Sequence, residues 1–60
     1  MNWLKEIREK ANLSQAQLAK ETGITQSGYC NIETGNRRPK VKTAKNIAKV
    51  LGFEWTRFYD

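Results

Sequence analysis

The sequence predicts an all-α fold, a compact bundle of five short helices. Its 60 residues suffice for one domain, residues 1–60, with a small hydrophobic core. Apolar residues make up 38% of the chain, and only four glycines and one proline interrupt it. This composition favours a folded helical domain over a disordered chain, although the mean hydropathy is polar at −0.77.

The first predicted helix runs from about Trp3 to Ala11. Asn2 stands in its cap position, and Asn12 suits its end. The residues with the i, i+3, i+4, i+7 spacing of one helix face are Leu4, Ile7, Arg8 and Ala11. This face is predicted to pack against the rest of the domain.

The second predicted helix begins at Gln15 and ends before Gly23. Ser14 precedes it and is followed three residues later by Gln17, which makes the Ser-x-x-Gln capping box of a helix start. The residues predicted to face the core are Leu18, Ala19 and Thr22. Gly23 stands where a left-handed backbone turns the chain, because glycine adopts that conformation without steric cost.

The third predicted helix runs from Gln26 to about Thr34, with Thr25 as its cap. At about 100° per residue, its inner arc holds Gly28, Tyr29 and Ile32. The outer arc carries short neutral groups where an ordinary solvent-facing helix has Lys and Glu, and it consists of Gln26, Ser27, Cys30, Asn31 and Thr34. Amides and hydroxyls pair with base edges, so this face is predicted to read DNA.

Two short helices joined by a tight glycine turn have the outline of a helix-turn-helix, which makes double-stranded DNA the first partner to consider. Two inner positions of the third helix need an explanation. Gly28 is expected to let the second and third helices approach closely. Tyr29 is expected to bury its ring and to bring its hydroxyl to the surface or to a phosphate.

Positive charge is concentrated after the third helix. The chain carries 11 Lys and Arg against 6 Asp and Glu, a net charge of +5. Between Glu33 and Glu54 there is no acidic residue, but there are six basic ones: Arg37, Arg38, Lys40, Lys42, Lys45 and Lys49. The first three lie in a predicted loop and are expected to contact phosphates, whereas the last two are expected to cover the outer face of a helix.

The fourth predicted helix follows this loop and stops at Gly52. Its apolar stripe is Val41, Ala44, Ile47, Ala48 and Leu51. The tail, Phe53–Asp60, is predicted to form a short fifth helix. Trp55 and Phe58 are expected to fold back onto the core, with Arg57 and Tyr59 at its rim; alternatively, the aromatic residues form a dimer surface.

The composition excludes several classes of protein. The longest apolar runs are a few residues, so neither a membrane span nor a signal peptide is expected, and the predicted location is the cytoplasm. A single cysteine without any histidine gives no metal set and no disulfide within the chain. No base accompanies Cys30, and no phosphate-binding glycine loop is present. We therefore expect no enzyme, no cofactor and no small-molecule ligand.

Two motifs combine these features with fixed spacing. They are Gln15-x-x-Leu18-Ala19-x-x-x-Gly23-Ile24 and Ile32-Glu33-x-Gly35-x-Arg37-x-Pro39. Together they resemble the Cro and lambda-repressor-like (XRE-type) family of helix-turn-helix DNA-binding proteins, over nearly the whole chain. The resemblance implies a five-helix bundle whose third helix enters the major groove, and operators bound by two-fold dimers.

The resemblance also implies residue roles. Gln15 is similar to the family's glutamine that braces a phosphate and the recognition helix. The positions similar to its base-reading residues are Gln26, Ser27 and Asn31. The positions similar to its backbone-clamping loop are Asn36, Arg37, Arg38 and Lys40. Arg8 and Glu33 occupy the places of a partly buried structural ion pair. Cys30, on the reading face, is expected either to contact a thymine methyl group or to be a thiol without a role.

The resulting prediction is a sequence-specific transcriptional regulator, a repressor, that binds a double-stranded DNA operator as a homodimer. It is expected to be encoded by a bacterium or a phage and to be associated with the nucleoid when bound. The alternative is an antitoxin-type or other protein-interaction module that also binds DNA.

Overall fold

The computed structural model describes all 60 residues and consists of helices alone. Four α-helices are followed by a short 3₁₀-helix, and their bounds are α1 Asn2–Lys10, α2 Gln15–Thr22, α3 Gln26–Glu33, α4 Val41–Leu51 and the 3₁₀-helix Trp55–Tyr59. The predicted all-α fold is confirmed, with a 3₁₀-helix in place of the fifth α-helix. The longest helix has 11 residues, and none has both the length and the apolar character needed to cross a membrane.

Side-chain caps start α2 and α3, as predicted. Ser14 Oγ accepts a hydrogen bond from the Gln17 backbone N–H at 3.0 Å, and Gln17 Oε1 accepts one from the Ser14 N–H at 2.8 Å. Thr25 Oγ1 accepts from the Gly28 N–H at 3.0 Å. Gly23, between the two helices, has a φ of +74°, the left-handed conformation expected of it. Local side-chain chemistry therefore sets the turn between α2 and α3.

In contrast, α1 and α4 begin without side-chain caps. The prediction that Asn2 caps α1 is wrong, because the Lys5 N–H donates to the Met1 carbonyl and the helix already includes Asn2. Lys40 occupies the cap position of α4 and makes no capping hydrogen bond, since an ammonium group has no acceptor to offer.

The core draws side chains from every helix. Its buried members are Leu4, Leu18, Ala19, Tyr29, Ile32, Ala44, Ile47 and Phe58. α2 packs against both α3 and α4, and the 3₁₀-helix packs against α4. The prediction that Val41 belongs to the buried stripe of α4 is wrong, since it is 49% exposed. Helix side chains lean toward the N-terminus, so that of the first residue extends beyond the packed part of the helix.

The tail folds back onto the core, as predicted for Trp55 and Phe58. Phe58 is buried, and Trp55 packs against the core from a half-buried position. Trp3, Phe53 and Phe58 form an aromatic cluster with ring centroids 5.3 to 5.5 Å apart. These contacts join the tail to α1, which carries Trp3.

Candidate nucleic-acid interface

The outer face of α3 carries the polar arc predicted from the sequence. Gln26 and Ser27 are exposed, and Cys30 and Asn31 are half-buried. Together with Gln15 from α2, these four side chains line one shallow groove. The side chains that form hydrogen bonds at this end of α2 and α3 are those of Ser14, Gln15, Gln17 and Thr25. The four side chains on the outer face of α3 make no hydrogen bond within the chain. Their donors and acceptors are free for a ligand.

A buried carboxylate at the end of α3 fixes the orientation of this helix. Glu33 is 6% exposed and accepts four hydrogen bonds from three side chains, two of them from Arg8. Arg8 Nε on α1 donates to Oε1 at 2.8 Å, as does Tyr29 Oη at 2.9 Å. Gln15 Nε2 on α2 donates to Oε2 at 2.6 Å. Arg8 Nη1 also donates to the Leu13 carbonyl at 2.8 Å, which holds the loop between α1 and α2.

The ionisation of this network follows from its contacts. Burial alone raises the pKa of Glu33, but the hydrogen bonds from Arg8, Gln15 and Tyr29 outweigh it and hold the pKa below its ordinary value. The hydrogen bond to Glu33 raises the pKa of Arg8. Burial, followed by the hydrogen bond to Glu33, raises the pKa of Tyr29 well above its ordinary value. At neutral pH a charged pair therefore shares the network with a neutral phenol.

Two expectations about the inner arc of α3 are wrong. Tyr29 is fully buried, and its hydroxyl donates to Glu33 instead of reaching the surface. A Cβ at Gly28 would lie 3.0 Å from Thr25 Oγ1 and within 4 Å of no atom of α2. Glycine at this position therefore leaves room for the side chain that caps α3, and helix approach does not depend on it.

The basic loop, residues 36–40, lies beside the starts of α3 and α4. Arg37, Arg38 and Lys40 are exposed and line a shallow cleft of about 280 Å³. Its other polar lining comes from Thr25 at the start of α3 and Thr43 in the first turn of α4. The positive ends of two helix dipoles thus add to the three side-chain charges.

The residues predicted to contact phosphates do not all lie in this cleft. Gln15 lines the groove on the outer face of α3, with the candidate base-reading residues. Asn36 is exposed and lines neither depression. The structure therefore has two adjoining surfaces, a neutral polar groove on α3 and a cationic cleft at the basic loop.

The sequence analysis missed two contributions to the site: the contacts of Tyr59 with the basic loop, and the hydrogen bond from Tyr29 to Glu33. Tyr59 donates a hydrogen bond from Oη to the Pro39 carbonyl at 2.6 Å, and the guanidinium carbon of Arg38 lies 5.7 Å from the Tyr59 ring centroid. No sequence pattern relates residues so far apart. For the bond between Tyr29 and Glu33 a signal exists, because residues four apart share a helix face.

Comparison with known proteins agrees with this geometry. A family model described as helix-turn-helix matches residues 4–58. The chain belongs to the XRE-type helix-turn-helix family. Members of this family are DNA-binding transcriptional regulators, which ordinarily have no enzymatic activity. In this helix-turn-helix protein, no three His, Cys, Asp or Glu side chains are grouped as a metal ion would require.

The similar proteins come from both bacteria and archaea. The helix-turn-helix chain is 40% identical over 58 residues to the uncharacterized HTH-type transcriptional regulator YqaF of Bacillus subtilis, covering 97% of this chain and 76% of YqaF. It is 41% identical over 51 residues to the uncharacterized HTH-type transcriptional regulator MJ0272 of Methanocaldococcus jannaschii, covering 85% of this chain and 77% of MJ0272.

A third relative is longer. The HTH-type transcriptional regulator PuuR of Escherichia coli is 34% identical over 57 residues, which are 95% of this chain but only 31% of PuuR. No solved structure matches the helix-turn-helix chain.

Proposed function

We propose that residues 1–60 act as a single DNA-binding domain that represses transcription by occupying a double-stranded operator. α3 enters the major groove, and the residues that read bases are Gln26, Ser27, Cys30 and Asn31. The residues that contact phosphates are Gln15, Asn36, Arg37, Arg38 and Lys40. The observation that supports this most directly is the groove of uncharged side chains on α3 beside a cleft lined by three cations.

The chemistry of the groove suits base edges. The carboxamides of Gln26 and Asn31 have the paired donor and acceptor that adenine presents in reverse, and the Ser27 hydroxyl accepts or donates. The half-buried thiol of Cys30 provides an apolar contact for a thymine methyl group. Charged side chains are absent from this face of α3, so phosphate attraction does not compete with base recognition.

The chemistry of the loop suits the DNA backbone. It carries three exposed cations within four residues and no acidic residue, in a chain with a net charge of +5. Gln15 differs from them, because one hydrogen of its Nε2 is held by Glu33. The second hydrogen remains available for a phosphate oxygen, and the carboxylate fixes its direction.

Two copies of the domain bind one operator. A single copy measures 24 × 21 × 19 Å, whereas successive major grooves on one face of DNA lie about 34 Å apart. One domain therefore presents its α3 to one groove, and a homodimer presents two. Since the similar proteins occur in bacteria and archaea, we expect the protein in the cytoplasm, on the nucleoid when bound.

Alanine substitutions on operator and random DNA test the two roles. Gln26→Ala or Asn31→Ala should cost about 1 to 3 kcal/mol of binding free energy on an operator selected from random sequences, and little on unrelated DNA. Arg38→Ala should weaken binding to both DNAs alike, because phosphates carry no sequence information. Fluorescence anisotropy at fixed salt gives the dissociation constants.

Lys49→Ala is the matched control for Arg38→Ala, since Lys49 is an exposed cation on α4 that lines neither the groove nor the cleft. It should bind both DNAs nearly as the parent does. Equal losses from Gln26→Ala, Asn31→Ala and Arg38→Ala on both DNAs would contradict the assignment of separate roles.

A further inference from the structure

The basic loop, residues 36–40, has little hydrogen bonding of its own. At its start the Arg37 N–H donates to a carbonyl of α3, and at its end α4 begins after Lys40. Between these points neither Arg38 nor Lys40 donates its backbone N–H to another backbone group, and Pro39 has no N–H. Local backbone pairing therefore does not determine the conformation of the segment that carries two of the three cations.

A side chain from the 3₁₀-helix contacts this segment. Tyr59 Oη donates to the Pro39 carbonyl at 2.6 Å, across 20 residues of sequence. The Arg38 guanidinium carbon lies 5.7 Å from the centroid of the same ring, within the range of a cation–π interaction. Tyr59 thus contacts two consecutive loop residues, one through its hydroxyl and one through its ring.

Tyr59 is itself held by the body of the protein. Its ring meets that of Trp55 edge to face, with centroids 6.0 Å apart. Lys45 Nζ of α4 lies 5.1 Å above the Trp55 ring. Phe58, the residue next to Tyr59, belongs to the core. These contacts attach Tyr59 to α4 and the core, and its hydroxyl joins them to Pro39, which is buried.

We propose that Tyr59 is a positioning residue for the DNA-contacting loop. Its hydrogen bond fixes the backbone at Pro39, and its ring holds the Arg38 guanidinium beside it before DNA binds. A guanidinium group stacks through its face and donates hydrogen bonds from its edge, so Arg38 contacts the ring and a phosphate at the same time. Ordering the loop in advance reduces the conformational entropy lost on binding.

This role presupposes the proposed function, in which the loop contacts phosphates. Tyr59→Phe removes one hydroxyl and keeps the ring with its packing on Trp55. We expect the variant to bind both the operator and random DNA about two- to tenfold more weakly, the effect of one hydrogen bond. Thr56→Ala is the matched control, because Thr56 is exposed in the same 3₁₀-helix. It should bind like the parent.

A double-mutant cycle separates positioning from a general loss of stability. If Tyr59 acts through the loop, Tyr59→Phe should have a smaller effect on the dissociation constant when Arg38 is already alanine. A general loss of stability would weaken binding by the same factor in both backgrounds. Melting curves of each variant show that binding is measured on the folded protein.

A measurement on the free protein tests whether Tyr59 orders the loop, independently of whether the loop contacts DNA. Backbone ¹⁵N relaxation of the free protein should show lower order parameters at Arg38 and Lys40 in Tyr59→Phe than in the parent or in Thr56→Ala. Unchanged order parameters together with unchanged affinity would overturn the positioning role. So would weaker binding to the operator alone, since Tyr59 would then read sequence. If the parent itself fails to bind DNA, the proposed function fails, while the relaxation data still decide whether Tyr59 orders the loop.

Discussion

The carboxylate of Glu33 accepts hydrogen bonds from side chains on three helices. It accepts hydrogen bonds from Arg8 on α1, from Gln15 on α2 and from Tyr29 on its own helix. Because the side chain is almost completely buried, water does not replace a donor that is lost. Loss of this charge would therefore weaken the links from α3 to α1 and to α2 together.

The lowered pKa of Glu33 predicts how stability responds to acid. A carboxyl group whose pKa is lower in the folded state stabilises the fold above its unfolded pKa, near 4.5, and loses this contribution as the pH falls through the folded value. The melting temperature should therefore fall more steeply below about pH 4.5 in the parent than in Glu33→Gln, whose side chain never ionises. Circular dichroism melts across the acid range measure both curves.

The matched control for this substitution is Glu6→Gln, at an exposed carboxylate on α1. Its curve should parallel that of the parent. At neutral pH Glu33→Gln is expected to be the less stable protein, and the two curves should converge in acid. Parallel curves for the parent and Glu33→Gln over the whole range would mean that Glu33 contributes no pH-dependent stability.

At the scale of the element, the first turn of α3 is a compromise between helix propensity and capping. Alanine in place of a helical glycine ordinarily stabilises a helix by about 1 kcal/mol. At Gly28, however, the added Cβ would lie 3.0 Å from Thr25 Oγ1, the oxygen that caps the helix. Displacing that oxygen weakens a cap that is itself worth about 1 kcal/mol. The two effects are of similar size and opposite sign.

We therefore expect Gly28→Ala to give no net stabilisation in the parent and about 1 kcal/mol of stabilisation in a Thr25→Ala background, where the crowded oxygen is gone. Urea unfolding of the four proteins measures the difference. Ser27→Ala, at the neighbouring exposed position, should change the free energy of unfolding equally in both backgrounds. An equal effect of Gly28→Ala in the two backgrounds would show that the cap is not disturbed.

Elements whose causes are local were predictable from the sequence. The capping box at Ser14, the Thr25 cap and the turn at Gly23 each depend on residues within four positions of one another, and the structure contains all three. The separation of α3 into two arcs follows from helical periodicity. The pairing of Arg8 with Glu33 was available only through resemblance to a family, because 25 residues separate them.

Features that depend on tertiary placement were not predictable in this way. The destination of the Tyr29 hydroxyl required knowing that Glu33 is buried and already paired. The start of α1 depends on the backbone hydrogen bond from Lys5 to Met1, and no side-chain cap indicates it in the sequence. The contact of Tyr59 with Pro39 joins a tail and a loop that meet only after α4 has packed. Within the candidate site, the separation of Gln15 from the cationic cleft has the same origin.

At the scale of the whole molecule, charge and size determine how the protein meets DNA. The six basic residues between Glu33 and Glu54 face no acidic residue in that stretch, and three of them, Arg37, Arg38 and Lys40, line the cleft at the basic loop. This positive charge attracts any DNA, and under the proposed function the discrimination between sequences comes from the neutral groove on α3. In the proposed homodimer, both contributions act at two half-sites.

Salt dependence and mass together test this arrangement. Three loop cations that neutralise three phosphates give a slope of about −3 for log affinity against log salt, and two copies give about −5. We expect the steeper slope on a two-fold operator, with two copies per DNA by sedimentation velocity. A single copy on the operator with a slope near −3 would refute the homodimer, and a flat salt response would refute the phosphate contacts.

The division of α3 into two arcs has an evolutionary consequence. Tyr29, Ile32 and Glu33 on the inner side hold the fold, while the four side chains of the outer groove make no hydrogen bond within the chain. Exchanging those four leaves the core and the carboxylate network intact. Under the proposed function, target choice can therefore diverge between gene copies while the fold is kept, and new specificities can be engineered at these four positions.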